Sequence, residues 1–194
     1  MSAIDGIGRR TFVAALASAA GLAFGAGDAG VSTKQGQLQR LTVESTKSFE
    51  EVVAAFEGAV GHPNMAELTN QMNGARTFAD LASAVDSAAA KSGLIQFARF
   101  DLGAVVRKEN GLQTPKIIRY LVGNPLIMKE MVKHVPDAGS YAPVTVLIDE
   151  RPDGVRLSYD KMAAFLAAYG NEDALKVARE LDLKVETLLR QAAA

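Results

Sequence analysis

The chain has 194 residues, the usual size of one domain with a real core, and its 48% apolar and 22% charged residues are globular rather than disordered in composition. A formal net charge of −1 offers no basic footprint for a nucleic-acid partner. Cysteine is absent, which excludes disulfides, thiolate zinc sites, a thiol nucleophile, covalently attached haem and a lipoprotein anchor.

Arg9-Arg10-Thr11-Phe12-Val13 resembles the twin-arginine translocation signal, with Phe12 two residues after the arginine pair. The Ala/Gly-rich apolar run from Phe12 to Phe24 is too short for a bilayer, which takes about 20 apolar residues. Small residues recur at Gly25, Ala26, Gly27, Ala29 and Gly30, as signal peptidase requires around its cut. Residues 1–30 are therefore read as a signal peptide, cleaved between residues 25 and 31. The expected location is periplasmic or otherwise exported, with the twin-arginine machinery as a partner and no stable membrane anchor. Loss of Arg9 and Arg10 leaves 19 of the 21 basic residues, and loss of Asp5 and Asp28 leaves 20 of the 22 acidic ones, so the mature chain stays near neutral.

Residues 31–37 read as a polar linker, and the domain is expected over 38–192. Leu38–Ser45 alternates, with Leu41, Val43 and Ser45 on one side, which predicts a half-buried strand. Ser48 with Glu51 three residues on predicts a capping box, and Phe49, Val52, Val53, Phe56 and Val60 form an apolar stripe that Gly61 should end. His62-Pro63-Asn64 reads as a turn before a short helix, Met65–Met72. Thr77 with Asp80 opens another helix, expected to run to Gly93.

Leu94–Phe100 reads as a strand with Leu94, Gln96, Ala98 and Phe100 facing one way, and Asp101 can cap a helix over Leu102–Asn110 closed by Gly111. Lys116–Val122 is an almost unbroken apolar run suited to a central strand. Gly123-Asn124-Pro125 places a permissive residue, a preferred N-cap and a first-turn proline in order, opening a helix from Leu126 to His134. Pro143–Ile148 and Val155–Tyr159 flank Asp149–Gly154 as a hairpin. Asp160 is expected to cap a helix ending at Gly170, and Glu172–Arg190 is the longest helix. Its seam of Leu175, Ala178, Leu181, Val185 and Leu188 packs on the chain's own sheet or on a second copy. Four or five strands with helices scattered between them predict a single α+β domain.

Ile118-Arg119-Tyr120-Leu121-Val122-Gly123-Asn124-Pro125 resembles the domain-of-unknown-function 302 family, whose strand ends in a Gly-Asn-Pro turn. Tyr141-Ala142-Pro143, the hairpin at Asp153-Gly154, Tyr159-Asp160, Gly61-His62-Pro63 and Phe100-Asp101 extend the likeness over roughly residues 40–190. The resemblance implies a TATA-binding-protein-like α+β fold with a four- to five-stranded sheet, and a homodimer, but no activity. Many members carry His directly after the strand-ending Asp, where this chain has Leu102.

If the strands at 94–100 and 117–122 are parallel, two helix starts share one sheet edge, the place where open sheets bind ligands. The expected small-molecule cleft then gathers Asp101, Gly123, Asn124 and Tyr141. His62 and His134 sit at helix ends, where a cation suits the dipole, or serve as haem or metal ligands with Met128, Met131 or a carboxylate. Ser140, His134 and Asp137 crowd one turn without a nucleophile elbow, and no phosphate loop or dinucleotide fingerprint follows a strand. The leading expectation is an exported, ligand-binding or accessory domain without catalysis. A haem- or metal-binding redox or sensor protein, and an enzyme of unknown reaction, are the alternatives.

Overall fold

The computed structural model describes residues 32–194; the signal reading falls outside the described residues. Alternation in Arg40–Ser45 (β1) turns Leu41, Val43 and Ser45 inward and leaves Arg40, Thr42 and Glu44 in solvent, as the sequence pattern predicts. Ser48 opens α1 (Phe49–Glu57) with the expected reciprocal box: its hydroxyl accepts from Glu51 N, and the Glu51 carboxylate accepts from Ser48 N. The helix stops at Gly58, not Gly61. Gly61 instead forms a parallel bridge to Ile95, donating its N–H to Leu94 O and accepting from Gln96 N. A Cβ there would lie 1.9 Å from Ala88 O, so only glycine lets these backbones approach.

Asn64 caps α2 (Met65–Gly74), and Thr77 with Asp80 boxes α3 (Phe78–Ala88), which ends short of Gly93. β2 (Ile95–Asp101) runs into α4 (Gly103–Asn110), closed by the left-handed Gly111. β3 (Ile117–Gly123) leads through Asn124 into α5 (Pro125–Val132), which is followed by a short 3₁₀ turn, Pro136–Ser140. β4 (Val144–Arg151) and β5 (Gly154–Asp160) form the predicted hairpin. α6 (Met162–Ala167) and α7 (Glu172–Ala193) complete the chain.

The protein is a single α+β domain whose sheet has the order β1-β5-β4-β3-β2, every neighbouring pair antiparallel. One face is covered: Phe49, Val52 and Phe56 of α1, Met131 of α5, Leu166 of α6 and the inner stripe of α7 close over Ile118, Tyr120, Val122, Val146, Ile148 and Leu157. α2 and α3 pack a smaller cluster of Leu68, Val85 and Ile95 at the β2 edge. The α7 seam is buried against its own domain, which removes it as a docking seam for a second copy. The other sheet face carries Arg40, Thr42, Thr145, Arg119, Ser158 and Asp160, none of them fully buried.

Two sequence expectations about β2 fail. A register shift between Gln96 and Ala98 breaks the alternation, so Gln96 lies opposite Val122 on the covered side while Ala98 and Phe100 lie opposite Leu121 and Arg119 on the open side. β2 and β3 are also antiparallel: Asp101 faces Ile118 and Ile95 faces Gly123.

Candidate functional site

That pairing takes the expected cleft apart. Asp101 lies beside the start of β3 and Gly123 at its far end, five residues or roughly 17 Å of strand away. Asp101 has a local role there: its carboxylate accepts from Ala104 N at 2.9 Å and from Arg107 Nη2 at 2.7 Å. The Arg107 guanidinium holds that carboxyl below its usual range. Leu102, at the position of the missing histidine, is partly exposed.

Gly123, Asn124 and Tyr141 do gather at one end of the sheet, but around two cavities. Asn124 Oδ1 accepts from Leu126 N at 2.8 Å, the expected N-cap, and Asn124 Nδ2 donates to Gly93 O at 3.0 Å. Both ends of the amide are thus engaged within the fold. Beside it, between the sheet's covered face and helices α2, α5 and α7, lies a cavity of about 220 Å³. Gly123 and Asn124 line its rim, and Met72, Phe97, Ile127, Met128, Met131 and Leu181 form its walls. No ionisable side chain lines it.

Tyr141 belongs to the second cavity, about 340 Å³, which shares only Ala142, Pro143 and Val144 with the first. Its lining includes Arg119, Leu121 and Thr145 from the open sheet face, so the Ala142–Val144 segment is a partition between the two. The Tyr141 ring stacks on Phe165, and its hydroxyl meets that of Tyr169 at 2.9 Å. That bond is the largest of the influences that push the Tyr169 hydroxyl well up, so it stays protonated at neutral pH.

The histidines are not set as a pair of ligands. His62 is exposed, with Nε2 2.7 Å from Glu57 O at the end of α1, and His134 is exposed just beyond α5. Neither lines the cavity that holds Met128 and Met131. Among the described residues no three His, Asp or Glu side chains converge as a metal site would require. A further polar cluster was not visible in the sequence: buried Tyr120 donates to Glu57 Oε1 at 2.7 Å, and Arg99 Nε reaches the same oxygen at 3.0 Å. Burial pushes the Tyr120 hydroxyl far up, which fixes it as a donor.

Residues 70–192 match the family model described as Domain of unknown function DUF302. The chain belongs to the DUF302 family. It is similar in structure to an uncharacterized conserved DUF302 protein from Bacillus stearothermophilus, with a TM-score of 0.55 and 12% identity over 79% of this chain and 97% of that one. At that identity the likeness concerns the fold alone. Comparison with curated proteins finds no match. The DUF302 match begins inside α2, yet β1 and α1 upstream are built into the same sheet and core.

The walls of the smaller cavity carried little signal in the sequence. Leu181 read as part of the packing seam of the last helix and Met72 as the end of a short one, nothing marked Phe97 or Ile127, and only the fold reveals that they leave a space. Arg119 had one signal, as the charge inside an otherwise apolar strand.

Proposed function

We propose that this DUF302 protein is exported and binds a small, uncharged, apolar molecule in the methionine-lined cavity, without catalysing a reaction on it. The observation that carries the reading is the cavity itself. Its walls are almost wholly apolar, and about 220 Å³ of such space exceeds the roughly 150 Å³ that suffices to hold benzene. Methionine thioethers adapt to the shape of a guest and favour aromatic edges, which suits a single-ring ligand. The wall has no side chain that can move a proton, which favours binding over acid–base chemistry. Export rests on the twin-arginine pattern at Arg9-Arg10 and the small residues before Val31.

Thermal unfolding in the presence of toluene, p-cresol or indole tests the cavity. A ligand at a hundredfold excess over its Kd stabilises the folded state by about 2.7 kcal/mol, which raises Tm by roughly 5–10 °C for a domain of this size. Met128→Phe, which puts a rigid ring where an adaptable thioether shaped the wall, should diminish that rise. If none of the three probes shifts Tm in the unsubstituted protein, the apolar-ligand reading is wrong.

A further inference from the structure

The larger cavity, on the open face, differs from the first in chemistry. Leu121 and Thr145, opposite each other on β3 and β4, form its floor, and Tyr141 with Phe165 forms an aromatic wall. The two rings are 4.8 Å apart at an interplanar angle of 8°, and the Tyr169 hydroxyl anchors Tyr141 from behind. A wall fixed in this way loses little freedom when a ligand arrives.

Two charged groups reach this space. The Asp160 carboxylate is taken up by Arg40, whose Nε and Nη2 reach its two oxygens at 2.6 and 2.7 Å. That pair presents little net charge. Arg119 is different: its recorded polar contact is a long one, 3.5 Å from Nη2 to Thr145 Oγ1. Arg40, Arg99, Arg107, Arg151 and Arg156 each hold a carboxylate, while Arg119 has no such partner among the described residues. An uncommitted guanidinium is a planar fork matched to a carboxylate, and hydroxyls at Ser140 and Thr145 stand in the same lining. A single cation, with no lysine beside it, suits a monoanion better than a phosphate dianion.

We infer that this second cavity binds a small organic carboxylate with a flat apolar body. The carboxylate sits on the Arg119 guanidinium, and the body lies against Tyr141 and Phe165. The site is separate from the methionine-lined cavity, because the two share only the Ala142–Val144 partition.

Titration of the protein with benzoate, and with benzamide as its uncharged isostere, tests this by calorimetry and by NMR of ring and methyl signals. Benzoate should bind at least roughly tenfold more tightly than benzamide, since the charge-assisted contact is lost in the amide. Ring signals of Tyr141 and Phe165 should move while the methyl signals of Met72, Met128 and Met131 stay still. Arg119→Gln, at an exposed position, should keep the far-UV spectrum and Tm and weaken benzoate at least roughly tenfold; Arg119→Lys, which keeps charge but loses the fork, should fall between. Met128→Phe should leave benzoate binding unchanged, so failure here and failure of the apolar-ligand reading are distinguishable. The inference is overturned if benzoate does not bind, if benzamide or inorganic phosphate binds as tightly, if Arg119→Gln has no effect, or if the methionine methyls report the binding.

Discussion

Asn124 shows how a residue chosen for one reason serves two. Its carbonyl oxygen caps α5 through Leu126 N, and its amino group crosses to Gly93 O just before β2. An N-cap is worth about 1 kcal/mol, and a partly buried tertiary hydrogen bond adds about 1 kcal/mol. Asn124→Ala should therefore lower stability by about 2 kcal/mol, seen as a lower urea midpoint at constant m-value. Asn124→Ser retains a capping oxygen but is too short to reach Gly93, so it should recover about half of that loss. Equal losses for the two variants would mean that the cross-tie, and not the cap, is what the residue supplies. The cap was legible from Gly123-Asn124-Pro125; the tie was not, because nothing local says that Gly93 ends up alongside.

Elements show the same division between local and tertiary information. Ser48 with Glu51 and Thr77 with Asp80 announce their helices because capping is settled within four residues. The start of α6 is settled elsewhere. Asp160 was expected to cap it but pairs with Arg40, and Asp182 on α7 takes the role. Asp182 Oδ1 accepts from Met162 N at 2.7 Å and from Tyr159 Oη at 2.6 Å, and Oδ2 accepts from Ala163 N at 3.1 Å. Asp182→Ala strands the Tyr159 hydroxyl and Ala163 N and leaves Met162 N only Tyr159 Oη, at 3.1 Å, so it should cost about 3 kcal/mol, a fall of roughly 6–12 °C in Tm. Tyr159→Phe should cost only about 1 kcal/mol, because both backbone donors keep their acceptor. Strand direction was likewise beyond local reach. Residues 102–116 are long enough for a parallel crossover, but Gly103 is pressed between Pro115 O and Ile117 N, where an added Cβ would come within 2.5 and 2.8 Å. Arg107 Nη1 also donates to Pro115 O. These contacts hold α4 at the end where β2 stops, so β3 starts there and runs back.

At the scale of the molecule, two environments meet at one end of the sheet: an apolar cavity under the helices, and a polar one that Arg119, Leu121 and Thr145 of the open face help to line. Both cavities meet at the Ala142–Val144 partition. The described residues before β1 form no strand or helix, although Lys34 Nζ lies 4.2 Å above the Tyr169 ring and Gln39 O accepts from Lys161 N. A cut between residues 25 and 31 would therefore spare every strand and helix among the described residues and both of these contacts. The mature chain should then match the full chain in Tm and in toluene and benzoate binding. In a bacterial host with a twin-arginine pathway, the exported form should carry a new N-terminus between residues 25 and 31, read by intact-mass spectrometry. Replacing Arg9 and Arg10 together by Lys should leave the precursor in the cytoplasm, since the paired arginines are the feature that pathway reads. Export undiminished by that double substitution would exclude the twin-arginine route, and an uncut chain in the native cell would exclude the signal itself. Neither outcome would alter the cavities, whose walls begin at Met72 and Arg119, well inside the folded domain.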